Sequence, residues 1–143
     1  MFQLLYVSTA TKPFNDTDLV VLLKGARQKN ARLHINGMLL YKQGKFMQIL
    51  EGEESAVRKL YAEISQDPRH EKLTVILERE CSKSVFRDWS MGFVNLRDEL
   101  IHTLPGYTHF LNTPLDSTHF VNDPTLSMQF LNIFKHAKSP DSL

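Results

Sequence analysis

Cysteine occurs once in the 143 residues, at Cys81, which excludes an intrachain disulfide and any metal site built from several thiolates. No apolar run approaches the roughly 20 residues needed to cross a bilayer. The first residues show no basic segment leading into a cleavable apolar stretch. Neither sign of charge is in excess, since 17 Lys and Arg against 16 Asp and Glu leave a formal net charge of +1 spread along the chain. That balance offers no face for polyphosphate or an anionic membrane, so neither nucleic acid nor membrane is expected as a partner. Six scattered histidines make no metal cluster. No glycine-rich loop cradles a phosphate, and no nucleophile elbow marks a Ser-His-Asp arrangement. What remains predicts a cytoplasmic protein. Hydrophobic residues at 42% and charged residues at 23% suffice for one compact core and are too few for two ordinary domains.

Residues 2–9 are aromatic and aliphatic and stop at Lys12-Pro13, which reads as a first strand. After Asn15 or Asp16 as a cap, Leu19, Leu22, Leu23 and Ala26 recur at helical spacing until the polar run Arg27-Gln28-Lys29-Asn30. Residues 33–41 and 45–50 flank Lys42-Gln43-Gly44 and predict a hairpin. Residues 53–66 place Ala56, Val57, Leu60, Tyr61 and Ile64 on one stripe, and Asp67-Pro68 ends that second helix. Residues 73–79 and 89–96 are the last two strand candidates. The order βαββαββ, with two helices of one apolar face each, predicts a ferredoxin-like α+β sandwich in which both helices cover one face of a mixed sheet. This unit is assigned to residues 1–96. Residues 97–143 form a C-terminal extension in which 124–136 predict a helix carrying Leu126, Phe130, Ile133 and Phe134, docked on the sheet or on a neighbouring subunit.

That fold hosts unrelated functions, so the site has to come from particular side chains. Tyr6 and Gln48 are polar residues inside apolar strands, and Asn30 ends a helix whose other face is apolar. Period-two alternation sets Leu4, Tyr6 and Ser8 on one face of the first strand, and Phe46, Gln48 and Leu50 on one face of the third. Tyr6 and Gln48 thus project from one side of adjacent strands. A buried glutamine without partners costs on the order of 1–3 kcal/mol, so a polar group should lie beside it. From spacing alone, a Tyr-Gln hydrogen bond that merely pins two strands is the favoured reading.

Five segments change that reading: Leu5-Tyr6-Val7-Ser8-Thr9; Lys29-Asn30-Ala31-Arg32 with Ile35-Asn36-Gly37-Met38-Leu39-Leu40-Tyr41; Phe46-Met47-Gln48-Ile49-Leu50-Glu51-Gly52; Asp67-Pro68-Arg69-His70; and Trp89-Ser90-Met91-Gly92-Phe93. In this order, over roughly residues 1–96, they resemble the BLUF family of flavin-binding blue-light sensors. Asn36, where threonine is common, and Lys29, where histidine or asparagine is frequent, depart from the family's pattern.

The resemblance implies noncovalent FAD between the two helices. It gives Tyr6 the role of electron and proton donor, Gln48 that of the hydrogen-bond switch, and Asn30 that of holding the pyrimidine edge. Ser8 would lie near the Tyr6-Gln48 pair, and Leu22, Asp67, Arg69 and His70 become further cofactor contacts. Trp89 and Met91, both placed on the last strand, become candidates for signal relay, with ordinary core packing equally open for them. It further implies a photoreceptor rather than an enzyme, a homo-oligomer in which residues 124–136 are a contact, and an unidentified protein partner. Residues after 96 are expected to be too few for a cyclase, phosphodiesterase or DNA-binding effector. An acylphosphatase-like enzyme and a dark ligand-binding regulatory module are the alternatives on the same fold.

Overall fold

The structure, a computed structural model, describes residues 1–87, 89–96 and 113–137, with residues 136 and 137 described by backbone alone. β1 (Phe2–Ala10), α1 (Asp16–Leu33), β2 (Asn36–Lys42), β3 (Lys45–Gly52), α2 (Glu54–Ser65), β4 (His70–Glu80) and β5 (Gly92–Asn95) follow the expected order, and α3 (Thr118–Val121) and α4 (Pro124–Ala137) follow them. The sheet runs β4-β1-β3-β2-β5. Its first four strands pair antiparallel in the ferredoxin-like arrangement, and β5 adds in parallel to β2.

Local chemistry sets the element ends. Asn15 caps α1 by accepting from Asp18 N–H at 2.8 Å while the Asp18 carboxylate accepts from Asn15 N–H at 3.0 Å, a reciprocal capping box. The helix does not stop at Asn30. It continues to Leu33, where His34 adopts a left-handed conformation (φ 54°) and closes it, so residue 33 belongs to the helix and not to β2. Asn30 thereby becomes a buried residue of the helix body. In the β2-β3 turn, Gln43 (φ 47°) and Gly44 (φ 78°) are both left-handed, the conformation that matches the twist of a two-residue hairpin.

β1 and β3 are buried on both faces, which is why they read as nearly unbroken apolar runs. One face carries Leu4, Tyr6, Leu39, Phe46 and Leu50 into a core shared with Leu19 and Leu23 of α1 and Val57 and Leu60 of α2. The other carries Leu5, Val7, Met38, Leu40, Met47 and Ile49 against Phe120 of α3 and Met128, Phe130, Leu131 and Phe134 of α4. The apolar stripe of residues 124–136 is thus spent largely on the chain's own sheet. Phe130 and Phe134 are buried, Leu126 packs at the margin, and Ile133 is half-buried. Lys42 Nζ donates to Thr113 O at 3.0 Å and Lys45 pairs with Asp116 at 3.0 Å, tying the segment before α3 to the β2-β3 hairpin. At the other end of the sheet, β4 is an edge strand. It exposes Glu71, Lys72, Glu78, Arg79 and Glu80, and its pairing with β1 shifts register twice.

Candidate functional site

The antiparallel register of β1 and β3 sets Tyr6 directly opposite Gln48, on the face that α1 and α2 cover. The Tyr6 hydroxyl donates to Gln48 Oε1. Gln48 Nε2 donates in turn to Met91 Sδ at 3.4 Å, so one buried amide accepts on one side and donates on the other. Burial pushes the Tyr6 phenol well above its ordinary pKa, and Tyr61 and Asp67 add to the shift. The phenol is therefore neutral, and its proton is directed at an amide oxygen.

Above this pair a cleft of about 220 Å³ opens between the two helices. Leu22, Gly25, Ala26 and Asn30 of α1 line one wall, Leu60 and Ile64 of α2 the other, and Tyr6, Leu39, Phe46 and Gln48 the floor. A side-chain carbon placed on Gly25 would meet nothing within 4 Å, so the α1 wall is flat and unencumbered there. Largely apolar walls, with the Asn30 amide on one of them and the Gln48 amide on the floor, fit a planar heteroaromatic ring that has a polar edge. Asp67, Arg69 and His70 also line the cleft. The Arg69 guanidinium, bonded to both Asp67 oxygens, holds that carboxyl below its usual pKa. His70 lies at the start of β4 rather than in a loop, between Ile64 O, 2.6 Å from Nε2, and Ser8 Oγ, 2.8 Å from Nδ1. A carbonyl only accepts, so Nε2 carries a proton and, in the neutral ring, Nδ1 accepts from the Ser8 hydroxyl. Ser8 thus meets the Tyr6-Gln48 pair indirectly, through His70, whose ring is edge-on to Tyr6 at 6.3 Å.

Trp89 and Met91 were expected on the last strand, which would put both on one face. They precede β5 instead, and they lie on opposite faces: Met91 joins the helix-side core and Trp89 the core beneath α4. The cause is a set of anchors that hold the segment out of strand geometry. Trp89 O accepts from Gly37 N–H at 2.8 Å, Ser90 O from Asn30 Nδ2 at 2.9 Å, and Met91 O from Arg27 Nε at 2.9 Å. The Trp89 ring also lies directly on Gly92, where a side-chain carbon would come within 2.1 Å of it. Arg27 was read from the sequence only as a cation near a helix end, and Tyr61, edge-on to Tyr6 at 5.3 Å, only as a core residue. Tyr61 shares its helix stripe with Val57, Leu60 and Ile64, whereas nothing in the local pattern marks the Arg27 contact.

The family model described as sensors of blue-light using FAD matches residues 1–92. The chain belongs to the BLUF family. Within it, the chain is 37% identical over 103 residues to the photoactivated adenylate cyclase subunit beta of Euglena longa, covering 71% of this chain and 12% of that protein. The chain thus spans a small part of the curated relatives that it matches. Among solved structures, the BLUF protein BlrB in its dark state superposes with a TM-score of 0.73 at 28% identity, covering 91% of this chain and 96% of that one. BlsA in its ground state gives 0.71 at 26% identity, covering 99% and 93%. BLUF proteins are flavin-binding blue-light photoreceptors, so the expectations of fold and of light sensing hold, and neither the acylphosphatase nor the dark-module alternative is favoured. No helix among the described residues is long and apolar enough to cross a membrane.

Proposed function

We propose that the cleft binds FAD noncovalently and that Tyr6 and Gln48 form the light-driven switch. The observation that carries this reading is the chain Tyr6 Oη to Gln48 Oε1, then Gln48 Nε2 to Met91 Sδ, at the floor of the apolar cleft. Asn30 and Gln48 would hold the polar edge of the ring, and Leu22 its face, with Asp67, Arg69 and His70 at the mouth toward the rest of the cofactor. Flavin, when bound, supplies the blue absorption and an excited state able to take an electron from a neighbouring phenol. Tyr6 is the phenol in place, and its proton leaves along the bond already made to Gln48 Oε1. An amide that rotates, or that gains a proton on its oxygen while giving one up from its nitrogen, exchanges donor for acceptor at both ends, which an ionised carboxylate cannot do. Gln48 Nε2 then releases Met91 Sδ, and the change reaches the segment carrying Ser90 and Trp89.

The output is a change in association with another protein, and the chain itself turns over no substrate. The Euglena relatives, named as photoactivated cyclase subunits, support a signalling enzyme as the kind of system served. Residues 1–96 are the sensor, and the described part of the extension, residues 113–137, covers the far face of its sheet. The protein is cytoplasmic and homo-oligomeric in this reading, with contacts other than the apolar stripe of α4. The test is to purify the full chain, release the flavin by mild denaturation and identify it. FAD in the supernatant is expected, together with a small, thermally reversible red shift under blue light without net reduction. A colourless protein that FAD cannot load overturns the proposal.

A further inference from the structure

A carboxylate shut off from solvent stands on β3, three residues beyond Gln48 and on the opposite face of the sheet. Glu51 has no exposure, and its carboxylate accepts four hydrogen bonds. The donors are Gln3 Nε2 at 2.8 Å, the Ser84 hydroxyl, Val85 N–H at 2.8 Å and Phe86 N–H at 3.1 Å. Gln3 is itself fixed by Arg79 Nε at 2.9 Å. Four donors converging on two oxygens saturate an ionised carboxylate, whereas an amide in its place would turn a donor toward a donor.

What Glu51 grips is the start of a segment whose end touches Gln48. Trp89 N–H donates to Phe86 O at 2.9 Å, so the turn clamped by Glu51 leads directly into Trp89. Two residues later Met91 offers its sulfur to Gln48. The same strand therefore holds this segment at both ends, by Glu51 from one face and by Gln48 from the other.

We propose that Glu51 is a positioning residue of the photoswitch: by fixing residues 84–86 it sets where Met91 meets Gln48 and where Trp89 lies beneath α4. The inference rests on the Tyr6-Gln48 switch proposed above. When Gln48 releases Met91, the clamp at Glu51 remains, so the segment turns about residues 84–86 instead of leaving the sheet.

The experiment uses the full chain loaded with FAD and compares wild type with Glu51→Gln, Ser84→Ala and a packing control, Val57→Ala, a buried residue of α2 on the face of the sheet opposite Glu51. It reads the dark recovery of the red shift and the light-minus-dark fluorescence of Trp89, the single tryptophan of the chain. Loosening the clamp weakens the Met91 acceptor that stabilises the dark arrangement. Glu51→Gln should therefore slow recovery by about threefold or more and abolish the Trp89 difference, since a buried carboxylate's hydrogen bonds are among the stronger ones. Ser84→Ala should shift both in the same direction by less, and it carries the test alone if Glu51→Gln does not fold. Val57→Ala should lower stability yet recover at the wild-type rate. Wild-type recovery with an undiminished Trp89 difference in both clamp variants overturns the pivot alone. Absence of any red shift in the wild-type chain overturns the switch reading and the pivot with it.

Discussion

Tyr6 and Gln48 provide the sharpest test, because each removes the other's buried partner. Gln48→Leu leaves the Tyr6 hydroxyl, on a residue only 3% exposed, without the amide oxygen that accepts from it. A buried group orphaned in this way costs about 1–3 kcal/mol. Tyr6→Phe does the converse, leaving Gln48 Oε1 without its donor while Nε2 still reaches Met91 Sδ, and its cost falls in the same range. In the double variant both groups are gone, and replacing both partners by apolar groups of similar shape is close to neutral. The double variant should therefore lose far less than the sum of the two singles, with a coupling of about 1 kcal/mol or more. Urea denaturation of the four flavin-free proteins measures this cycle. None of these losses approaches the roughly 5–15 kcal/mol that holds a domain together, so all four should fold and take up flavin. The same four proteins, loaded with FAD, are then illuminated, and only the wild type should show the reversible red shift. Additive stabilities, within about 0.5 kcal/mol, would refute the pairing. A normal red shift in any of the three variants would refute the switch.

Asn30→Ala should weaken flavin retention by roughly 2-fold to 10-fold, the equivalent of one net hydrogen bond, as read by FAD titration of the stripped protein; unchanged affinity would remove Asn30 from the cradle. The depressed pKa of Asp67, caused first by its hydrogen bond from Arg69, gives stability that is present above the unfolded carboxylate pKa of about 3.9 and lost as pH falls toward the lower folded value. Thermal melts of wild type and Asp67→Asn should accordingly differ at neutral pH and converge on acidification, and a gap that widens in acid would contradict this. Phe134→Ala removes a fully buried ring that packs edge-on against Phe130 at 5.1 Å, and should cost about 3–5 kcal/mol in urea denaturation; a loss below 1 kcal/mol would mean that α4 does not seal the far face.

The strands, both helices and the facing of Tyr6 and Gln48 were legible because they depend on local signals: period-two alternation, Asn15 as a cap, and Gly44 in the turn. Trp89 and Met91 were misplaced because alternation was extended through a segment whose geometry comes from residues distant in sequence. Gly37, Asn30, Arg27 and Glu51 hold that segment, and no local spacing announces any of those four contacts. Asn30 looked like a helix terminus because polar residues cluster there. The stop comes from His34, whose left-handed backbone turns its N–H back onto Ala31 O and Asn30 O, and which no glycine or asparagine announces. The assignment of Ser8 beside the Tyr6-Gln48 pair missed that His70 enters β4 at its first residue and takes up the Ser8 hydroxyl.

The charged rim of β4 bears on how copies of the molecule can meet. An edge strand presents unpaired backbone groups that a second copy would ordinarily be able to join. Here a second β4 laid alongside would meet exposed side chains of both signs, Glu71, Glu78 and Glu80 beside Lys72 and Arg79, on a strand already offset from its own neighbour by two register shifts. Such a rim accepts another strand only where the charges match, so indiscriminate growth of the sheet from molecule to molecule is disfavoured on that side.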